Sequence, residues 1–289
     1  MDQIFKPYQE YCCVYVDDLL IFSNSLKDHY AHVMKILLTC KYKGVILSEK
    51  KATLVQTKIR FLVLEIEEGK HQLQSHILTH IQEFPSEIKD KNQLQRFLGC
   101  LTNVEAYIKK LAQMRKPLQA KFKQNVQWTW QESDTLYVDK IKKQLINLPV
   151  LCHPGPEDFM IIETDASKEY WRAVLKAETA TNKELCRYTS GSFQGSELNY
   201  HSNEKEYLAV KKAIKKSAIY VISKKFIVRT DNKNLGYFLQ TNIAGDYKQG
   251  RLIHWQQWFN HYNFSVERIE GKRNCLADTL SREFANKCS

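Results

Sequence analysis

The stretch Phe159-Met160-Ile161-Ile162-Glu163-Thr164-Asp165-Ala166-Ser167 limits this chain most tightly. Its apolar residues read as a short buried strand that ends in an acid followed by two small residues. A carboxylate at the end of a buried strand is costly unless a charge or hydrogen bonds meet it. Taken alone, Asp165 has an ordinary reading as a turn residue closing the strand. It does not stand alone. Glu206, Asp231 and Asp278 follow, each placed where an element begins or ends. If these four acids converge, they form a hard-oxygen site suited to Mg²⁺ or Mn²⁺.

Length and charge bound the rest. The 289 residues suffice for two ordinary domains. A net charge of +11 with 43 Lys+Arg favours a polyanionic partner, nucleic acid before a membrane surface; a merely basic soluble protein is the plainer alternative. The cysteines are scattered at positions 12, 13, 40, 100, 152, 186, 275 and 288 without a CxxC pair, which signals neither a zinc site nor a disulfide framework. They fit reduced thiols in an intracellular protein. No apolar run reaches the length of a membrane span, and the first residues do not form a signal peptide.

Tyr11 to Phe22 reads YCCVYVDDLLIF, two apolar runs flanking Asp17-Asp18. That is the pattern of a tight hairpin with acids at its tip. A helix is predicted over Asp28–Gly44, with Tyr30, Val33, Met34, Leu37 and Leu38 as its apolar face and Gly44 as C-terminal cap. A strand over Ile59–Ile66 closes in a turn near Glu68-Gly69-Lys70. Leu94, Phe97, Leu98, Leu101, Val104, Tyr107, Ile108 and Leu111 make a helical core stripe. Lys109, Lys110, Arg115, Lys116, Lys121 and Lys123 form a basic run, read either as a solvated face or as a phosphate-tracking surface. A helix over roughly 132–147 follows Trp128-Thr129-Trp130, and Pro149, Pro154, Gly155 and Pro156 then mark a domain boundary.

Beyond it, strands are expected at 158–164, 172–177, 185–192, 225–230 and 263–269. Helices are expected at 203–220, roughly 249–262 and 275–284. Leu252, Trp255, Trp258, Phe259 and Tyr262 share one helical face. Three antiparallel strands followed by alternating helices and strands imply a mixed sheet with helices packed on it. Glu206 and Asp278 each have a second reading as acids favoured by a helix N-terminus. Lys211, Lys212, Lys215 and Lys216 follow Glu206 on its helix and face either phosphates or solvent.

These motifs carry a family resemblance. Tyr15-Val16-Asp17-Asp18 resembles the palm motif of reverse transcriptases. Thr164-Asp165-Ala166-Ser167, Asn199 to Glu206, Arg229-Thr230-Asp231-Asn232 and Asn274 to Arg282 resemble the four acidic motifs of gypsy-type and pararetroviral ribonuclease H domains. With Leu94-Gln95-Arg96-Phe97-Leu98-Gly99, the whole chain is similar to the C-terminal part of a caulimovirus polyprotein. The resemblance implies an α/β (α+β) architecture: a partial palm (1–82), thumb and connection helices (83–156) and a ribonuclease H-like domain (157–289). It implies that Asp165, Glu206, Asp231 and Asp278 hold two Mg²⁺ (or Mn²⁺) and that the RNA strand of an RNA–DNA hybrid is cleaved. It makes Asp17 and Asp18 metal ligands of a palm remnant, and it makes Lys109, Lys110, Arg115, Lys116, Lys211 and Lys215 candidate nucleic-acid contacts. A further palm Asp expected upstream does not fit in the sixteen residues before Asp17, so no DNA synthesis is expected of this chain alone. Two positions depart from the family: Val63 and Arg172 stand where Gly is expected, which points to altered hairpin geometry at both.

Overall fold

The computed structural model describes residues 1–122, 127–179, 182–240 and 250–269. They form two compact units, one over Met1–Glu68 and the other from Gly69 onward. Asp278 and the helix expected at 275–284 lie outside the described residues.

In the first unit, α1 (Asp2–Phe5) leads into a hairpin of β1 (Cys12–Tyr15) and β2 (Asp18–Ile21). Tyr15 faces Asp18 across it, leaving Val16 and Asp17 as the two turn residues. The long helix α2 (Leu26–Lys43) is set by its ends. Ser25 Oγ accepts from the Asp28 N–H at 3.1 Å. Gly44 takes φ +68°, and the Val45 N–H reaches the Cys40 carbonyl at 2.9 Å, which together close the helix in a Schellman motif. The buried face of α2 differs from the expected one. Ile36 and Cys40 pack with Phe5 and Cys12, while Tyr30, Met34, Leu37 and Leu38 are exposed. An apolar stripe fixes a helix's phase but not which neighbour covers it. A second hairpin, β3 (Lys58–Phe61) with β4 (Leu64–Glu67), shows where backbone freedom is needed. Leu62, not Val63, carries the positive φ of +54°, the pattern of a II′ turn.

The second unit opens with β5 (Lys70–Leu73), which pairs with the short β6 (Leu151–Cys152). Between them lie α3 (Ser75–Gln82), α4 (Lys91–Cys100), α5 (Leu111–Gln119) and α6 (Glu132–Gln144). The stripe from Leu94 to Leu111 is therefore core, as expected, but not one helix. Leu101, Val104, Tyr107 and Ile108 are buried in the turns and the short 3₁₀ segment Glu105–Tyr107 that link α4 to α5. The last part is a five-stranded sheet in the order β11-β10-β7-β8-β9. Its strands are β7 (Phe159–Ala166), β8 (Tyr170–Glu178), β9 (Lys183–Ser192), β10 (Phe226–Thr230) and β11 (Phe264–Arg268). The pairs β7–β8 and β8–β9 are antiparallel, while β10 runs parallel to both β7 and β11. The helices α7 (Ser202–Lys216), α8 (Ala218–Val221), α9 (Leu235–Gln240) and α10 (Gly250–Phe259) complete it. Ile162, Ala173, Leu175 and Val228 from the sheet share one core with Ala209, Val210, Ala213, Trp255 and Phe259. The mixed sheet matches the sequence expectation; α9 was not anticipated.

Candidate active site

Three elements bring acids together at one end of the sheet. Asp165 is the penultimate residue of β7, Asp231 follows the last residue of β10, and Glu206 lies in the second turn of α7. One carboxylate oxygen from each lies within 4.8 Å of the others. Glu206 is not a helix cap. That role falls to His201 and Glu204: the Asn203 N–H donates to His201 Nδ1 at 3.3 Å, and the His201 N–H donates to Glu204 Oε2 at 3.0 Å. Asn232 ties the end of β10 to α7 by donating from Nδ2 to Asn203 Oδ1 at 3.0 Å. This bridge joins the neighbours of Asp231 and Glu206, and nothing in the sequence signals it.

The electrostatics of the cluster suit a cation. Glu206 is 9% exposed, and its Oε2 is buried without a hydrogen-bond partner. Burial, then repulsion from Asp231 and Asp165, pushes its pKa up to about 8, against a smaller opposing pull from the Ala166 N–H. An orphaned carboxylate oxygen among like charges gains most from a hard divalent ion. The donor set, all carboxylate oxygen, is of the class that Mg²⁺ and Mn²⁺ take.

Arg172 alters this picture. It sits directly across from Asp165 in an unbroken β7–β8 register, so the side chain is accommodated without a bulge. The departure is one of charge instead. Arg172 Nε donates to Asp165 Oδ2 at 2.5 Å. Lys109 lines the same small pocket with Glu163, Asp165 and Arg172. Beside it, Glu163 pairs with Lys176 at 2.7 Å in a buried contact and with Arg229 at 3.7 Å.

The other basic candidates are placed in different ways. Lys116 pairs with Glu169 at 2.9 Å. Lys121 is held by Asp134 at 2.6 Å and by the Thr129 carbonyl. Lys211 lies over the rings of Trp258 and Trp255, at 5.3 and 5.9 Å from their centroids. Arg115 and Lys215 share a groove of about 540 Å³ with Lys212 and Lys216. Lys110 is exposed at the start of α5; Lys123 lies outside the described residues. In the first unit, Asp17 occupies the hairpin turn and Asp18 opens β2, so both acids stand at the tip as expected. Val16 carries a φ of +54° there, a conformation unusual for a β-branched residue.

Comparison with known proteins gives this geometry a context. Residues 155–262 match the family described as the RNase H-like domain found in reverse transcriptase. Residues 1–66 match the reverse transcriptase (RNA-dependent DNA polymerase) family. The enzymatic polyprotein of Cauliflower mosaic virus (strain D/H) is 56% identical over 288 residues, covering 98% of this chain and 43% of the viral protein. The enzymatic polyprotein of Carnation etched ring virus is 55% identical over 276 residues, 95% of this chain and 42% of its own length. The chain thus spans less than half the length of the curated relatives it matches. A foamy viral protease-reverse transcriptase in complex with RNA/DNA hybrid superposes with a TM-score of 0.78 at 19% identity, over 93% of this chain and 37% of that one. The foamy viral protease-reverse transcriptase dRH in complex with double-stranded DNA gives 0.79 at 19% identity, over 93% of this chain and 47% of that one. At such identity the likeness speaks for fold alone. None of the helices among the described residues is long and apolar enough to cross a membrane. Across nearly its whole length, the chain belongs with the reverse transcriptase and ribonuclease H-like portion of the caulimovirus enzymatic polyproteins.

Proposed function

We propose that the ribonuclease H-like part of this chain hydrolyses the RNA strand of RNA–DNA hybrids in a divalent-metal-dependent reaction. The observation that carries the reading is the convergence of Asp165, Glu206 and Asp231 within 4.8 Å, with a Glu206 oxygen left unsatisfied. These three, with Asp278 from outside the described residues, would hold two Mg²⁺, or Mn²⁺ in their place. Bound ions of this kind activate water and neutralise the developing charge on the leaving oxygen. The chain's own part is to fix the acids on β7, α7 and β10, rigid supports that keep them within the tolerance such chemistry needs. Selection of the hybrid would rest on its 2′-hydroxyls and backbone shape rather than on base edges. Asp17 and Asp18 are assigned as ligands of a polymerase palm. The proposed functional segments remain palm at 1–82, thumb and connection at 83–156 and ribonuclease H at 157–289.

One observation favours a second reading, a nucleic-acid binder without cleavage: Arg172 already neutralises Asp165. One assay separates the two. Labelled hybrid is incubated with the purified chain and Mg²⁺, beside Asp231→Asn. Cleavage that drops at least about a hundredfold in the variant supports the nuclease. Hybrid retained but uncut by the unaltered chain, at any Mg²⁺ concentration, supports the binder.

A further inference from the structure

We propose that Arg172 is an internal competitor of the divalent cation, a fixed positive charge that holds Asp165 until the metal displaces or overrides it. The inference rests on the metal-site reading above and adds a residue that works against it. Three observations carry it. Arg172 Nε meets Asp165 Oδ2 at 2.5 Å. The two residues are direct cross-strand partners in β7 and β8, so the contact is built into the sheet and not reached by a wandering side chain. Asp165 is at the same time one of the three acids whose oxygens converge.

The physics gives the competition its sign. Guanidinium stays charged at any pH a protein survives. If the cation takes the oxygen that Arg172 holds, the guanidinium must leave. If the cation takes the other oxygen, a positive charge remains one carboxylate away and repels it. Either way the apparent affinity falls. The Arg172 side chain is 38% exposed, so it has solvent to move into, and the block is a weakening and not a closure. Lys109 lines the same pocket. Glu206 and Asp231 are then left as the stronger ligands, and the cation concentration needed to fill the site rises.

The experiment measures binding itself on the whole chain. Mn²⁺ is titrated calorimetrically into the unaltered protein, Arg172→Gln, Arg172→Gly and Asp165→Asn. Thermal unfolding with and without Mn²⁺ shows that each variant is folded and gives a second measure, since a ligand that binds only the folded state stabilises it by RT ln(1 + L/Kd) at free ligand concentration L. Arg172→Gln keeps a side chain of similar reach without the charge, which guards against a backbone effect of glycine. Both Arg172 variants are expected to bind Mn²⁺ about tenfold more tightly, equivalent to about 1.4 kcal/mol, and to show the larger Mn²⁺-dependent rise in Tm. Unchanged or weaker binding in both variants, with Asp165→Asn still losing affinity, overturns the competitor role and leaves the metal site standing. Full Mn²⁺ binding by Asp165→Asn overturns the metal-site reading, and this inference with it.

Discussion

Glu206 is the side chain on which burial and charge act together most strongly in the candidate site. Its pKa lies at about 8, while an ordinary glutamate titrates near the reference value of 4.5. Between those values the folded protein keeps a proton that the unfolded chain has released. Stability without metal therefore falls as pH rises through that window, and no further above it. Glu206→Gln removes the titration and should flatten that part of the profile. It should also raise metal-free stability on the alkaline side by ~1–3 kcal/mol. Unfolding midpoints recorded in chelator across the window, for both proteins, check this. Equal slopes would mean that the carboxylate is not held protonated by its neighbours. The same residue shows why an acid in a helix's early turns need not be a cap: Glu204 takes that role through the His201 N–H, which frees Glu206 to point at Asp165 and Asp231.

At the scale of elements, the start of α6 makes a sharp test. Asp134 accepts from the Gln131 N–H at 2.8 Å and from Lys121 at 2.6 Å, and it is 6% exposed. Asp134→Ala removes a capping-box bond and takes the carboxylate from a largely buried ammonium that keeps the Thr129 carbonyl. A loss of about 2–5 kcal/mol in urea unfolding is expected; a loss below about 1 kcal/mol would show that neither contact contributes. Gly191 offers a second test. A Cβ built there would run into the Trp171 indole, with Cε2 at 2.7 Å, so Gly191→Ala should cost roughly 1–3 kcal/mol through the displaced ring. Neither contact was legible in the sequence, because each joins residues whose proximity depends on tertiary packing. The C-terminal end of α2 was legible, since Gly44 acts within a few residues of itself, whereas the start lies at Leu26 behind Ser25 and not at Asp28. The buried side of α2 was not legible. Tyr30, Met34, Leu37 and Leu38 form as good a stripe as Ile36 and Cys40, and only the packed neighbours Phe5 and Cys12 decide between them. At the site the same distinction holds: the acids that end strands, Asp165 and Asp231, announce themselves, whereas Arg172 gains its meaning from cross-strand register.

At the scale of the molecule, the +11 charge overstates what is available to a polyanion. Lys116, Lys121 and Lys212 already face carboxylates at 2.9, 2.6 and 2.6 Å, and Lys211 lies over two indole rings. Lys110 and Lys215 are exposed, and Lys215 shares its groove with Arg115 and Lys216. Contacts to phosphates release condensed counterions, so the logarithm of affinity falls linearly with the logarithm of salt, at a slope of about 0.9 per phosphate neutralised on a duplex. Fluorescence anisotropy with a labelled duplex at several salt concentrations should therefore give a shallow slope for so basic a chain. Lys110→Ala and Lys215→Ala should each lower it by roughly one contact's worth. Lys121→Ala, measured well below its unfolding temperature, should leave the slope unchanged, because its ammonium is committed to Asp134 and the Thr129 carbonyl. A slope that drops as much for Lys121→Ala as for Lys215→Ala would show that ion pairing within the fold does not remove a lysine from the nucleic-acid surface. Affinity independent of salt would make the whole basic run a solvated face.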